Sequence, residues 1–202
     1  MENPGKSLKK KLDLWYNRTS KTSFIEKDPL RFPHRYTGRE DREIAAFLAA
    51  TIAWGRRDLI LRSAERMFLL MGESPYDYIM SGGFKKLKDR CVHRTFFEND
   101  LRYFCKGFRF CYAKYKSLEA LFTAGKAGAS GDIWDGIALF REEMARANNG
   151  LYTKHIANPL AASACKRVNL ALRWLVRGGP VDLGLWTSIS PASLFIPLDL
   201  HV

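Results

Sequence analysis

The chain has 202 residues, of which 47% are hydrophobic and 27% charged, and its formal net charge is +12. That length and balance fit one ordinary globular domain able to bury a core without disulfides or a metal, and they exclude a disordered or fibrous chain. The excess of positive charge favours polyanionic partners (DNA, RNA or an anionic membrane) without choosing among them; a basic but inert surface is the alternative.

Leu8, Leu12 and Trp15 predict an opening helix over 7–17. Lys6, Lys9, Lys10 and Lys11 precede no apolar segment of signal-peptide type, and no apolar run reaches membrane-spanning length. A cytoplasmic protein with no membrane partner is therefore expected. Residues 17–35 read as a connector anchored by Phe24, Ile25, Leu30 and Phe32, with turns and extended backbone at Asp28-Pro29 and Phe32-Pro33. A helix over 41–54 follows from Ile44, Phe47, Leu48 and Ile52, and Gly55 ends or interrupts it. Periodicity resumes over 57–71 and Gly72 closes it. Ser74 and Pro75 form a helix start, as N-cap and first helical residue.

Bases cluster over 85–94, and aromatics crowd 95–115: Phe96, Phe97, Tyr103, Phe104, Phe108, Phe110, Tyr112 and Tyr115. Aromatics beside bases suit base stacking, but at helical spacing they also suit a core. A short helix over 117–122, a small-residue loop over 125–131 and a helix over 133–147 come next. Asn158 as cap and Pro159 at the first position predict a further helix running to about Arg177, ended by Gly178-Gly179-Pro180. No strand of period two is evident. The expectation is an all-α, multi-helix bundle: a single domain over 1–202, in one lobe or two, with an N-terminal helix and connector over 1–40 and a helical core over 41–202.

Cys91, Cys105, Cys111 and Cys165 form no Cys-x-x-Cys pair and read as reduced core thiols. His34, His93, His155 and His201 have no zinc-site spacing. Neither a metal nor a cofactor is expected, and no feature sets an oligomeric state.

The helix around Lys166 is amphipathic. Val168, Ala171, Leu172 and Leu175 fall on one side, and Lys166, Asn169, Arg173 and Arg177 on the other. That basic stripe suits a phosphate backbone or simple solvation. Arg167 and Arg173 beside Lys166 favour its neutral, nucleophilic amine. Asp199, in the loop 197–202, is the candidate partner carboxylate, positioned to orient the amine or stabilise positive charge on a sugar. Arg56 and Arg57, after Gly55, are phosphate clamps or solvated turn residues. Trp54, Cys165, Asn169, Trp186 and His201 are candidate pocket residues, with core packing as the alternative for Cys165 and Trp186, and a loop or packing role for His201.

Three stretches carry a resemblance: Ala164-Cys165-Lys166-Arg167 through Arg173-Trp174-Leu175-Val176-Arg177, then Val181-Asp182-Leu183-Gly184-Leu185-Trp186, then Pro197-Leu198-Asp199-Leu200-His201-Val202. It extends upstream through Asp28-Pro29, Pro33-His34, Glu43-Ile44-Ala45, Ala53-Trp54-Gly55-Arg56-Arg57, Gly72-Glu73-Ser74-Pro75-Tyr76 and Arg94-Thr95-Phe96. Together they resemble the uncharacterised bacterial DUF2400 family, which in turn is distantly similar to helix–hairpin–helix DNA glycosylases, above all the archaeal 8-oxoguanine glycosylase group. The resemblance implies a DNA partner, a glycosylase-like fold and a base-excision reaction in which Lys166 attacks the anomeric carbon of a flipped nucleotide and Asp199 assists. A non-catalytic nucleic-acid-binding module and a helical structural or interaction protein are the alternatives. The chain departs from those enzymes in having no Gly-x-Gly hairpin before Lys166 and no four-cysteine iron–sulfur motif. Members of the family continue beyond the position of Val202, so the resemblance also implies a fold incomplete at its C-terminus.

Overall fold

The computed structural model describes residues 4–128, 131–161 and 163–197. Their helices are α1 (Pro4–Thr19), α2 (Arg31–His34), α3 (Arg39–Thr51), α4 (Arg57–Met71), α5 (Pro75–Met80), α6 (Glu98–Tyr115), α7 (Leu118–Gly125), α8 (Ile133–Arg146) and α9 (Lys166–Val176). Two short strands, β1 (Cys91–His93) and β2 (Phe96–Phe97), pair antiparallel between α5 and α6. The expected all-α, multi-helix bundle is the architecture that forms. No helix among the described residues is long and apolar enough to cross a membrane.

Helix α3 is central. Every residue from Glu43 to Thr51 is buried, because α2 and α9 both pack against it. A helix covered on several sides has little use for a polar face, and the run Ile44-Ala45-Ala46-Phe47-Leu48-Ala49-Ala50 supplies none. Phe47 projects into a cluster of rings, with centroids 5.0 Å from Phe140, 5.7 Å from Phe122 and 6.1 Å from Trp186. The aromatics of α6 join it through Phe104 and Phe108, so their role there is core rather than an exposed stacking platform.

Glu43 lies at the foot of this cluster and is 0% exposed. Its carboxylate accepts from Tyr112 Oη (2.9 Å), the Leu118 amide (3.1 Å) and Trp186 Nε1 (2.7 Å), and Arg39 Nε lies 3.6 Å away. Arg39 also pairs with Glu119, which accepts from the Ser188 amide at 2.6 Å. These two acids tie α3, α6 and the start of α7 to the segment that follows α9. Burial pushes the Glu43 carboxyl above the usual glutamate range, outweighing the donors that pull it down.

Helices α7 and α8 cross closely because glycines face each other. A Cβ on Gly136 would sit 2.8 Å from the Phe122 carbonyl oxygen, and one on Gly125 would sit 2.5 Å from Gly136 Cα. Gly136→Ala is expected to destabilise the protein by about 2 kcal/mol, since overpacking against backbone exceeds the gain in helix propensity. Thermal unfolding checks this: a fall of roughly 4–8 °C is expected, and an unchanged or raised midpoint would contradict the close crossing.

Three local expectations are corrected. Phe32 and Pro33 are helical, not extended: Pro33 falls in the first turn of four-residue α2, where a missing N–H leaves no helix bond unmade. The strands escape a period-two search because they are only three and two residues long. His93 fixes this hairpin: its Nε2 donates to the Trp54 carbonyl (2.9 Å), so its Nδ1 accepts from the Ser63 hydroxyl (3.1 Å). Cys91 is exposed on β1, whereas Cys105, Cys111 and Cys165 are buried as expected.

Candidate functional site

The third correction concerns the start of α9 and defines the site. The expected helix from Asn158 does not form. Asn158 Oδ1 instead accepts from the Leu160 amide (3.0 Å), Trp134 Nε1 donates to the Pro159 carbonyl (3.2 Å), and Ser163 Oγ accepts from the Cys165 amide (3.2 Å). Such side-chain–backbone bonds compete with helix formation. The helix begins only after Cys165, which adopts a left-handed conformation (φ 45°, ψ 40°) and provides no side-chain cap. Lys166 is thereby the first helical residue rather than a mid-helix one. It stands at a helix terminus whose initial amides have no intrahelical acceptors and whose dipole favours negative charge.

Val168, Ala171, Leu172 and Leu175 are buried on one side of α9, as the periodicity implies. Asn169 is not on an exposed polar stripe. It is buried, and its Nδ2 donates to the carbonyls of Ala164 (3.1 Å) and Cys165 (3.3 Å), holding the turn before Lys166 against the helix. Cys165 is packed, with Sγ 3.8 Å from the Ala157 carbonyl, and burial pushes its thiol up.

Exposed Lys166 borders three concavities. The first, about 210 Å³, surrounds the α9 N-terminus and is lined by His155, Ala157 and residues 163–168. The second, about 360 Å³, is a basic groove between Trp54, Thr95, Lys154, His155, Lys166 and Arg167. The third is the largest, about 690 Å³. It lies between the α9 residues Lys166, Asn169, Leu170, Arg173 and Arg177 and the chain from Pro191 to Pro197. That size lies within the range of small-molecule and cofactor sites.

Trp54 forms the back of the groove. Its ring stacks on His155 (centroids 5.9 Å apart), and the Arg167 guanidinium lies over it at 5.2 Å. Burial pulls the His155 imidazole below its ordinary value, against the opposing pull of Asp100; His155 Nε2 is 3.4 Å from Asp100 Oδ1 but is not aligned for a hydrogen bond. Opposite, the β-hairpin turn brings Arg94, at φ 52°, over Gly55, where a Cβ would meet Arg94 Nη1 at 2.6 Å. Gly55 itself has φ 96°, so a side chain there is opposed by both backbone and space.

The expected phosphate-binding arginines have unequal fates. Arg167 turns inward, donating to the carbonyls of Thr51 (3.3 Å) and Lys154 (3.4 Å), and burial lowers its pKa. Arg173 and Arg177 share buried Asp182, with Nε–Oδ2 distances of 3.4 and 3.7 Å, while still lining the large cavity. Arg56 is exposed and paired with Asp58 (3.0 Å). Arg57 lies over the Phe24 ring at 5.9 Å, beside a separate cavity of about 180 Å³. Trp186 is 1% exposed and bound to Glu43, so it belongs to the core alternative and not to a pocket wall. Asp199 and His201 lie outside the described residues.

Sequence reasoning missed Asp182 and Glu43. An acid between Val181 and Leu183, and another within the apolar run of α3, were the available signals: a carboxylate on an apolar surface needs donors from elsewhere. Among the described residues no three His, Cys, Asp or Glu side chains are grouped to hold a metal ion.

Compared with known proteins, residues 28–202 match the family described as "Protein of unknown function (DUF2400)". No curated protein and no solved structure matches the chain.

Proposed function

We propose that this chain, which belongs to the DUF2400 family, binds DNA, draws one nucleotide out of the helix and acts on it as a base-excision glycosylase/lyase through Lys166. The observation that carries the reading is the position of Lys166 at the junction of the uncapped α9 terminus, the basic groove and the 690 Å³ cavity. A helix N-terminus and a lysine-lined groove suit phosphates. A cavity with apolar walls beside them suits an extruded base. The distant likeness to helix–hairpin–helix glycosylases supports the same reading, with Asp199 as the assisting carboxylate. Pro197, two positions before Asp199 in the chain, lines the cavity that Lys166 also lines.

In the reaction proposed, the neutral Lys166 amine attacks C1′ and the bond from C1′ to the base breaks, the base leaving with a proton. Opening of the sugar ring then gives an iminium between Nζ and C1′, which hydride from borohydride reduces to a stable amine. The test is binding and trapping on a panel of damaged and abasic duplexes. Binding that weakens steeply with salt, together with a borohydride-trapped protein–DNA adduct, is expected. Salt-dependent binding without an adduct on any lesion would leave a non-catalytic nucleic-acid-binding module. Absence of binding at low salt would leave a structural or interaction role.

A further inference from the structure

We infer that the large cavity selects a ring carrying an exocyclic amine, and that Asn169 reads that amine. The inference rests on the DNA reading above and adds the class of base to it. Asn169 lines the cavity and is 4% exposed. Its Nδ2 donates to the Ala164 and Cys165 carbonyls, which fixes the orientation of the amide: turned over, its oxygen would face two other oxygens. Oδ1 is therefore an acceptor, and it is buried with no hydrogen-bond partner among the described residues. Buried acceptors left unpaired are uncommon and costly, and at functional sites they mark a place where a ligand donor belongs.

The rest of the wall narrows the ligand. Leu170 and Phe195 offer apolar surface to the faces of a ring, while Lys166 and Arg173 add positive charge at the side. One aspartate, Asp182, stands against both Arg173 and Arg177, so this wall keeps a net positive charge with Lys166 included. A nucleotide base matches these features together: flat apolar faces, a backbone phosphate, and an edge donor for Asn169. The exocyclic amine is the N–H that projects farthest from the ring. A hydroxyl or carbonyl at that place would set oxygen against Oδ1, so the site would discriminate by the unpaired group it leaves behind as well as by the bond it makes.

The test uses six duplexes, each with one unpaired base opposite an abasic site: adenine and purine, guanine and hypoxanthine, cytosine and pyrimidin-2-one. The members of each pair differ only in the amine. In at least one pair the wild-type protein is expected to bind the amine-bearing member about three- to tenfold more tightly. Asn169→Leu is expected to bring that ratio to about one. Because the ratio is taken within one protein, a general weakening of the α9 start lowers both members and leaves the ratio unmoved. Binding of all six with equal affinity by wild type overturns this inference and leaves the DNA reading standing, as does a ratio that survives Asn169→Leu. Absence of binding to any of the six at low salt overturns both.

Discussion

Lys166→Ala is expected to abolish the borohydride-trapped adduct, lowering its rate of formation on the order of 10³-fold or more, as loss of a covalent nucleophile does. DNA affinity should fall far less, by about the contribution of a single phosphate contact, because the groove keeps Lys154 and the cavity wall keeps Arg173. Lys166→Arg separates charge from chemistry. The guanidinium stays protonated and is not a nucleophile, so it should restore the salt dependence of binding without restoring the adduct. The measurement is single-turnover trapping on an abasic duplex beside anisotropy titrations at several salt concentrations. Adduct formation by Lys166→Ala at the wild-type rate would move the chemistry to another residue. Lys166 is the residue tested because α9 begins with it; a lysine one turn later would be removed from the uncapped helix terminus.

Glu43→Gln is expected to cost roughly 3 kcal/mol of stability, equivalent to a fall of about 6–12 °C in the unfolding midpoint. The substitution preserves shape and removes an acceptor. Oε1 faces Trp186 Nε1 and Oε2 faces the Leu118 amide and Tyr112 Oη. Neither the indole nor the amide can accept, so whichever way the new amide is turned, its NH₂ meets an N–H. The sign of the pH dependence follows from the upward shift. A carboxyl with a raised folded pKa contributes stability that is fully present below its ordinary value of 4.5 and is lost as pH rises through the folded value. The stability difference between wild type and Glu43→Gln should therefore be greatest in acid and shrink as pH rises through that window. Thermal melts of both proteins across the window check it. A midpoint within about 2 °C of wild type at every pH would show that the four-way junction is not a source of stability.

Helix α4 could be read to the residue because its information is local: apolar spacing over 57–71, and a glycine at φ 74° directly after Met71. The same holds for α5, where Ser74 Oγ accepts from the Asp77 amide with Pro75 in the first turn. The start of α9 could not be read this way. Asn158-Pro159 is a sound local start signal, but Trp134 captures the Pro159 carbonyl from α8, and no pattern within 158–166 contains that contact. Asn169 was assigned to the exposed side by its angle on the helix, yet the carbonyls it serves lie in the turn before α9, which folds back beneath it. Charge was legible as a total and misleading by residue. Arg167 is turned into the molecule, and Arg173 and Arg177 are held by an aspartate that reaches them only because residues 181–186 return along α9, with the Leu183 amide bonded to the Trp174 carbonyl and the Trp186 amide to that of Leu175. Lys166 itself was found from the character of its helix; that it also borders a cavity closed by residues 191–197 depends on that return and on the Glu43 and Glu119 bonds behind it.

The exposure of Cys91 gives the molecule a built-in attachment point. Cys105 and Cys111 are enclosed in α6, with thiols that burial pushes well above their ordinary range, and Cys165 is packed under the α9 terminus. A thiolate-directed reagent acting on the folded protein is thus steered to one sulfur by access and acidity alone. That sulfur is on the hairpin whose turn brings Thr95 to the edge of the groove. A fluorophore placed there, without any engineered cysteine, would sit on the same element as the groove rim and report on DNA arriving beside it, while dyes that require the other three thiols would report only on unfolding.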